Sequence, residues 1–274
     1  HCCFAPHRSA DRYVSIDGSN NWPYDGWDKA ATNILFALTN ATAGETVWVS
    51  NGVHQTGSNT INLGTNIILF GLGGPTGTIL QGSANTNRIV IVNHANAVLS
   101  GLSIQRGTKG AVELRAGLVT NCWMMWNMAD AYNVNGAGLL MSSGSVTRSV
   151  VAFNTNYVHP TITFADGVYM SGGVLADSSI SSNVHRGGYG GGGIAICNGG
   201  AVESCTIVDN ECSTNNSGGS AWIYGYGGIT NTIIYGNRRG GMTNDVAGNN
   251  GGFATNCAYC CAWELGTGTN GNIA

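Results

Sequence analysis

Along the second half of the chain, apolar side chains recur in short alternations broken by Gly and Asn, and no stretch there carries the 3.6-residue period of a helix. One pattern of eleven residues is copied seven times. The copies are 97–107 (AVLSGLSIQRG), 117–127 (GLVTNCWMMWN), 144–154 (GSVTRSVVAFN), 173–183 (GVLADSSISSN), 200–210 (GAVESCTIVDN), 227–237 (GGITNTIIYGN) and 252–262 (GFATNCAYCCA), with starts 20 to 29 residues apart. Position three is apolar throughout, from Leu99 to Ile229 and Ala254. Position eight reads Ile104, Met124, Val151, Ile180, Ile207, Ile234 and Tyr259, and position six is small or apolar, with Cys122, Cys205 and Cys257 read as buried hydrophobes. A second alternation precedes each motif, as Val112/Leu114, Leu139/Met141, Val168/Met170, Ile194/Ile196 and Trp222/Tyr224. Alternation at period two predicts strands.

A unit of this length, holding several short strands punctuated by Gly and Asn, predicts one coil of a parallel β-solenoid. Position eleven is then a corner. Asn127, Asn154, Asn183, Asn210 and Asn237 occupy it in register, and stacked amides there can hydrogen-bond from coil to coil, which predicts an asparagine ladder. These coils, with the opening YVSIDGSNNWPYDGWDKAATNI and the closing NCAYCC, resemble right-handed parallel β-helix proteins of the pectate-lyase-like superfamily, and within it secreted bacterial cell-surface β-helix proteins. The resemblance implies the fold class, an all-β right-handed parallel β-helix with a short N-terminal capping α-helix. It says little about activity, because one scaffold carries lyases, hydrolases, adhesins and inert surface proteins.

Residues 25–38 read as that helix, with Trp27, Ala31, Ile34 and Leu38 on one face and Asp25 and Asp28 at its start. The expected organisation is an N-terminal segment and capping helix over 1–45, the β-helix over 46–265, and a small polar tail over 266–274 that leaves the last coil uncovered.

Composition narrows the partners. The 274 residues hold 43 Gly and 4 Pro, are 43% hydrophobic and only 9% charged, and carry a formal charge of −3, which suits a packed fold and not a disordered chain. With 11 Lys+Arg and no basic run beyond Arg238-Arg239, there is no footprint for nucleic acid. No apolar run reaches the length of a membrane span, and a chain beginning at His1 reads as processed or excised. Nine cysteines favour an oxidising, secreted or cell-surface location. Cys2, Cys3, Cys260 and Cys261 lie at opposite ends of a rod and are candidates for bonds between copies.

Candidate chemistry is sparse. Asp166, Asp177, Glu203, Asp209 and Asp245 fall at different places in their coils, so neither a Ca²⁺ cluster nor a glycosidase carboxylate pair is expected, and no catalytic residue, metal or cofactor is assigned. An N-terminal His1 with His7, His54, His94, His159 and His185 is insufficient for a copper site. The best charged group is the turn after the ladder asparagines, where His185-Arg186, Glu211 and Arg238-Arg239 fall one coil apart. Arg186, Arg238 and Arg239 there are candidate contacts to an anionic glycan; the alternative is a salt ladder between stacked turns. Two functions remain. The favoured expectation is a secreted structural or adhesive protein that joins copies of itself head to tail as an extracellular fibre, with a surface polysaccharide as a further partner. The other is a polysaccharide lyase or glycoside hydrolase acting on an anionic polysaccharide.

Overall fold

The computed structural model describes residues 11–83, 87–129, 134–156, 165–186, 191–213, 221–248, 257–262, 265 and 271–273. They form a right-handed parallel β-helix, all-β but for short helical segments. A representative coil has four strands, Leu139–Met141, Ser145–Thr147, Val150–Ala152 and Thr155–Asn156, each paired in parallel with its counterpart one coil away. Alternate side chains point inward. The third strand shows the stacking most plainly, since Leu80, Ile104, Met124, Val151, Ile180, Ile207 and Ile234 lie in one fully buried column.

Corners between strands are set by backbone conformation. Asn121, Arg148, Asp177, Ser204, Asn231 and Tyr259, all at position five, have φ between 48° and 54°. Arg106, Trp126, Phe153, Ser182 and Asp209, at position ten, are left-handed as well. The repeat begins with glycine for a steric reason: Gly144 has φ 78°, and a Cβ there would stand 2.6 Å from the Gly117 carbonyl oxygen of the preceding coil.

The last copy of the repeat is displaced from the expected alignment. Ile229 pairs with Cys257 and Ile233 with Cys261, so Cys257 stands at position three and Cys260 at position six, three residues later than the sequence pattern places them. The alternation at the last full coil also shifts by one. Ala221 and Ile223 point into the core, while Trp222 and Tyr224 lie on the outer face, where their rings stack 5.6 Å apart.

At the N-terminal end, Arg12–Val14 pairs with Thr46–Val49, which opens the first sheet. The expected helix over 25–38 is corrected to a 3₁₀ turn at Trp27–Lys29 and an α-helix at Ile34–Asn40. The interruption has a cause. Ala31 is taken as a strand-like partner of Val14, donating its N–H to Tyr13 and accepting from Ser15, and Asn33 then caps the helix by accepting from Leu35 N–H at 2.8 Å. Ile34 and Ala37 bury against Val14, Val47 and Val49, so the helix covers the first coil.

Two columns of buried polar groups run along the inside of the corners. At position eleven, each asparagine Oδ1 accepts from the backbone N–H and the Nδ2 of the asparagine one coil before: Asn127 to Asn154, Asn154 to Asn183, Asn183 to Asn210 and Asn210 to Asn237, all at 2.9–3.1 Å. The second column is at position six, whose members are small and buried as expected and in addition hydrogen-bond from coil to coil. Ser149, Ser178 and Thr232 accept from the N–H of Cys122, Ser149 and Cys205, and every member donates to the carbonyl two residues earlier. Cys122, Cys205 and Cys260 donate in the same way, at 3.2–3.3 Å, so these thiols do the work of hydroxyls.

Both columns are terminated. Asp245 Oδ1 takes the place of the next asparagine, accepting from Asn237 N at 2.8 Å and Nδ2 at 3.1 Å. Asn272 ends the other, accepting from Cys260 N–H at 2.9 Å and donating to the Cys257 carbonyl at 3.0 Å. The sheet that carries Arg238–Arg239 ends in an antiparallel fold-back onto Met242–Thr243, and Ile273 bridges to Cys261. These segments lie over part of the last coil, while Ile233–Tyr235, Val246–Gly248 and Cys257–Ala258 remain the outer strands of their sheets among the described residues.

One inward position is not aliphatic. His54 fills the column of Leu80 and Ile104; it is buried, its Nε2 lies 2.9 Å from the Ser50 carbonyl oxygen, and its Nδ1 has no hydrogen-bond partner. Desolvation lowers its pKa below the usual 6.5, outweighing the Ser50 contact. A depressed base contributes stability that is present above the unfolded pKa and lost as pH falls. Thermal stability is therefore expected to drop below about pH 6.5, by at most about 1.4 kcal/mol per pH unit from this group. His54→Leu removes that part of the slope; melting curves over pH 4.5–8 that are parallel for the two proteins contradict it. For the ladder, Asn183→Ala strands the buried N–H of Asn154 and is expected to cost about 2–4 kcal/mol by chemical denaturation, whereas a denaturation midpoint equal to that of the parent denies the ladder its role.

Candidate functional site

The edge formed by the fourth strands is where the candidate arginines meet. Val184–His185, Glu211–Cys212 and Arg238–Arg239 stack so that Val184, Glu211 and Arg238 share one row and His185, Cys212 and Arg239 the next. The two rows differ in exposure. Arg238 is exposed, as is Arg186 just beyond its strand, while Arg239 is half-buried. Arg239 lines a cavity of about 330 Å³ together with Met242, Thr243 and Asn244, the fold-back residues that close this sheet. A salt ladder would require Glu211 to engage Arg238, and among the described residues no ion pair joins those two side chains.

His185 departs from the exposed turn expected of it. It is fully buried, its Nδ1 is 2.6 Å from Asp166 Oδ2, and neither Asp166 Oδ1 nor His185 Nε2 has a hydrogen-bond partner among the described residues. Burial raises the Asp166 pKa, and the neighbouring imidazole opposes that rise. The pair therefore belongs to the interior of the coil and not to the arginine edge. Arg88 is buried too, donating to the carbonyls of Gly136 at 2.6 Å and of Asn135, with desolvation bringing its pKa down to about 10. Its role is to hold the corner at 135–136.

The outer face of the first strands carries a second group that sequence reasoning missed. Tyr169 and Trp222 pack over Ala165, Ala195 and Cys197, and Tyr169 is hydrogen-bonded to the Cys197 thiol. Burial, with the Cys197 thiol adding to it, pushes the Tyr169 hydroxyl up to about 12. The signal was present as Tyr169, Ala195 and Trp222 at the same offset in successive coils, one residue out of step with the inward positions. Elsewhere on the surface, Trp126 and Phe153 stack at 5.9 Å across adjacent coils with both rings about half exposed.

The cysteines do not stand as free ends of a rod. Cys260 is buried in the position-six column, Cys261 is half-buried, and no disulfide joins Cys122, Cys197, Cys205, Cys212, Cys257, Cys260 or Cys261. Cys2 and Cys3 lie outside the described residues, as do His1, His7 and His159. Desolvation pushes Cys122 up to about 12 and Cys205 to about 11, values of inert structural thiols. No cluster of three or more potential metal ligands occurs among the described residues, and no helix there is long and apolar enough to cross a membrane.

No protein-family model matches the sequence, and no curated protein matches it either. In fold the chain is similar to the pectin methylesterase from Aspergillus niger, at 12% identity and a TM-score of 0.55, over 93% of this chain and 84% of that one. It is also similar to pectin methylesterase PemA from Erwinia chrysanthemi, at 13% identity and a TM-score of 0.41, over 93% and 71% of the two chains. The expectation of a fibre or adhesive subunit is corrected accordingly: Cys260 is buried inside the last coil, and the solved structure similar in fold over 93% of this chain is that of a pectin methylesterase. What the likeness itself establishes is the fold, a right-handed parallel β-helix.

Proposed function

We propose that the chain is a secreted, polysaccharide-active β-helix protein that takes an anionic glycan at the edge formed by Arg186, Arg238 and Arg239. The observation that carries this reading is the cavity of about 330 Å³ beside Arg239, on the edge where Arg238–Arg239 stacks on Glu211–Cys212 and Glu211 does not ion-pair with Arg238. Its volume falls at the lower end of the range for small-molecule sites, about 300–1,000 Å³, enough for part of a chain and not for a long oligomer. Guanidinium groups suit carboxylate or sulfate through paired N–H donors, and the exposed position of Arg238 lets a polymer lie across the coils.

The chemistry this edge suits best is β-elimination on a uronate. Elimination needs the carboxylate neutralised, a base that takes the proton from the adjacent carbon, and cleavage of the bond to the glycosidic oxygen, which leaves with a proton from solvent; Arg238 and Arg239 supply the neutralising charge. Glycoside hydrolysis instead needs two carboxyl groups flanking the bond, and the described residues bring no such pair to this edge. A pectin methylesterase built on the same scaffold supports a polysaccharide as the class of partner, and its name favours a uronate polymer. An extracellular setting follows from that class of partner.

The test is a panel of uronate and sulfated polysaccharides, read for binding and for unsaturated products by ultraviolet absorbance. Arg238→Ala and Arg239→Ala are each expected to weaken binding about 10-fold or more, consistent with loss of one charge-assisted hydrogen bond of about 1.5–3 kcal/mol, and added salt should weaken the parent protein as well. Binding that is unchanged in both variants, or absent across the panel, overturns the reading.

A further inference from the structure

Two cysteines in the last coil are placed as in no other. Position three is a branched aliphatic in the preceding coils, Leu99, Val119, Val146, Leu175, Val202 and Ile229, all buried in one column; in the last coil it is Cys257. Cys260 follows at position six. Both side chains turn inward around the left-handed corner at Tyr259, φ 54°: Cys257 stacks on Ile229 of the coil before, and Cys260 Sγ lies 3.4 Å from the Ile229 carbonyl oxygen. Cys122 and Cys205 also occupy position six, but the residue across their corner is Val119 or Val202. Among the described residues, the last coil alone puts cysteines on both sides of this corner, and packing gives no reason for a thiol where six coils use Leu, Val or Ile.

We propose that Cys257 and Cys260 form a thiol–disulfide redox centre that closes as an intramolecular bond inside the last coil. Cys260 is the attacking group. The neighbouring Cys257 thiol holds its pKa down to about 7, whereas Cys257 itself is raised. The oxidant is a small-molecule disulfide such as oxidised glutathione. Cys260 thiolate attacks one of its sulfurs, the oxidant's S–S bond breaks, and one small thiolate leaves with a proton from solvent. Cys257 then loses its proton and attacks Cys260 Sγ, which releases the second small thiol. Two protein S–H groups become one S–S bond, and one disulfide becomes two thiols.

Access is through the end of the rod. Among the described residues, the cover on this coil is the short segment 271–273, held by Asn272 to Cys260 N and the Cys257 carbonyl, and by Ile273 to Cys260 and Ala262. Lifting it breaks no strand of the coils below. Cys261 is excluded from the centre because it occupies position seven, the next residue along a strand, and so faces the opposite side from Cys260.

The full chain is equilibrated with oxidised glutathione, quenched by alkylation, digested and mapped by mass spectrometry. A bond joining Cys257 to Cys260 within one peptide is expected, unchanged in Cys261→Ser. Cys257→Ser should trap glutathione on Cys260, and Cys260→Ser should leave Cys257 unmodified. All thiols recovered in alkylated form, a bond that includes Cys261, or glutathione found on Cys257 of the Cys260→Ser protein overturns the proposal. The map of the parent protein decides the question even where a variant does not fold.

Discussion

The asparagine ladder is the constraint on which the rest of the architecture hangs. Each corner after the third strand buries a backbone N–H that no strand partner serves, and the amide oxygen of the next coil's asparagine satisfies it together with that coil's own side-chain donor. A buried donor left alone costs on the order of 1–3 kcal/mol, so the spacing between coils, the identity of position eleven and the left-handed residue before it are fixed together. Coil length between corners is much freer. Starts 20 to 29 residues apart are tolerated because insertions leave the corner untouched.

A ladder of this kind must also end, and its ending shapes the function. Where the sixth amide would stand, Asp245 presents a carboxylate to Asn237, and Asn272 does the same for the column of hydroxyls and thiols. The sheet bearing Arg238 and Arg239 turns back on itself at Met242–Thr243. That single reversal makes Met242–Thr243 the outer strand of this sheet, and it also walls the cavity beside Arg239. Capping and the candidate glycan edge are thus two consequences of one turn. The same end holds Cys257 and Cys260, so the terminal coil carries both its closure and its reactive thiols.

The coils were legible because inward positions are almost all aliphatic and corners almost all Asn or Gly, a contrast that survives variable spacing. Legibility failed where that contrast fades. Trp222 and Tyr224 were read as the inward pair because Ala221 to Tyr224 is apolar at both parities, and only the pairing of Ala195 with Trp222 fixes which set faces in. In NCAYCC, apolar residues stand at several offsets, so nothing in the local pattern set the three-residue displacement of the last coil. Ala31 suits a helix by spacing, yet it serves as a strand partner of Val14, an interaction far from it in sequence. Of the candidate site, the stacking of Glu211 with Arg238 followed from the repeat; the burial of His185 against Asp166 did not, because Asp166 belongs to another part of the previous coil.

That the chain acts singly and does not stack end to end is the claim from which the functional reading starts, and sedimentation velocity of the purified chain over a wide concentration range tests it most directly. A β-helix of this kind gives one species of 28.3 kDa whose sedimentation coefficient does not grow with concentration, with or without a reductant. A ladder of species lengthening by whole chains as concentration rises would contradict it and return the last coil to the role of an interface.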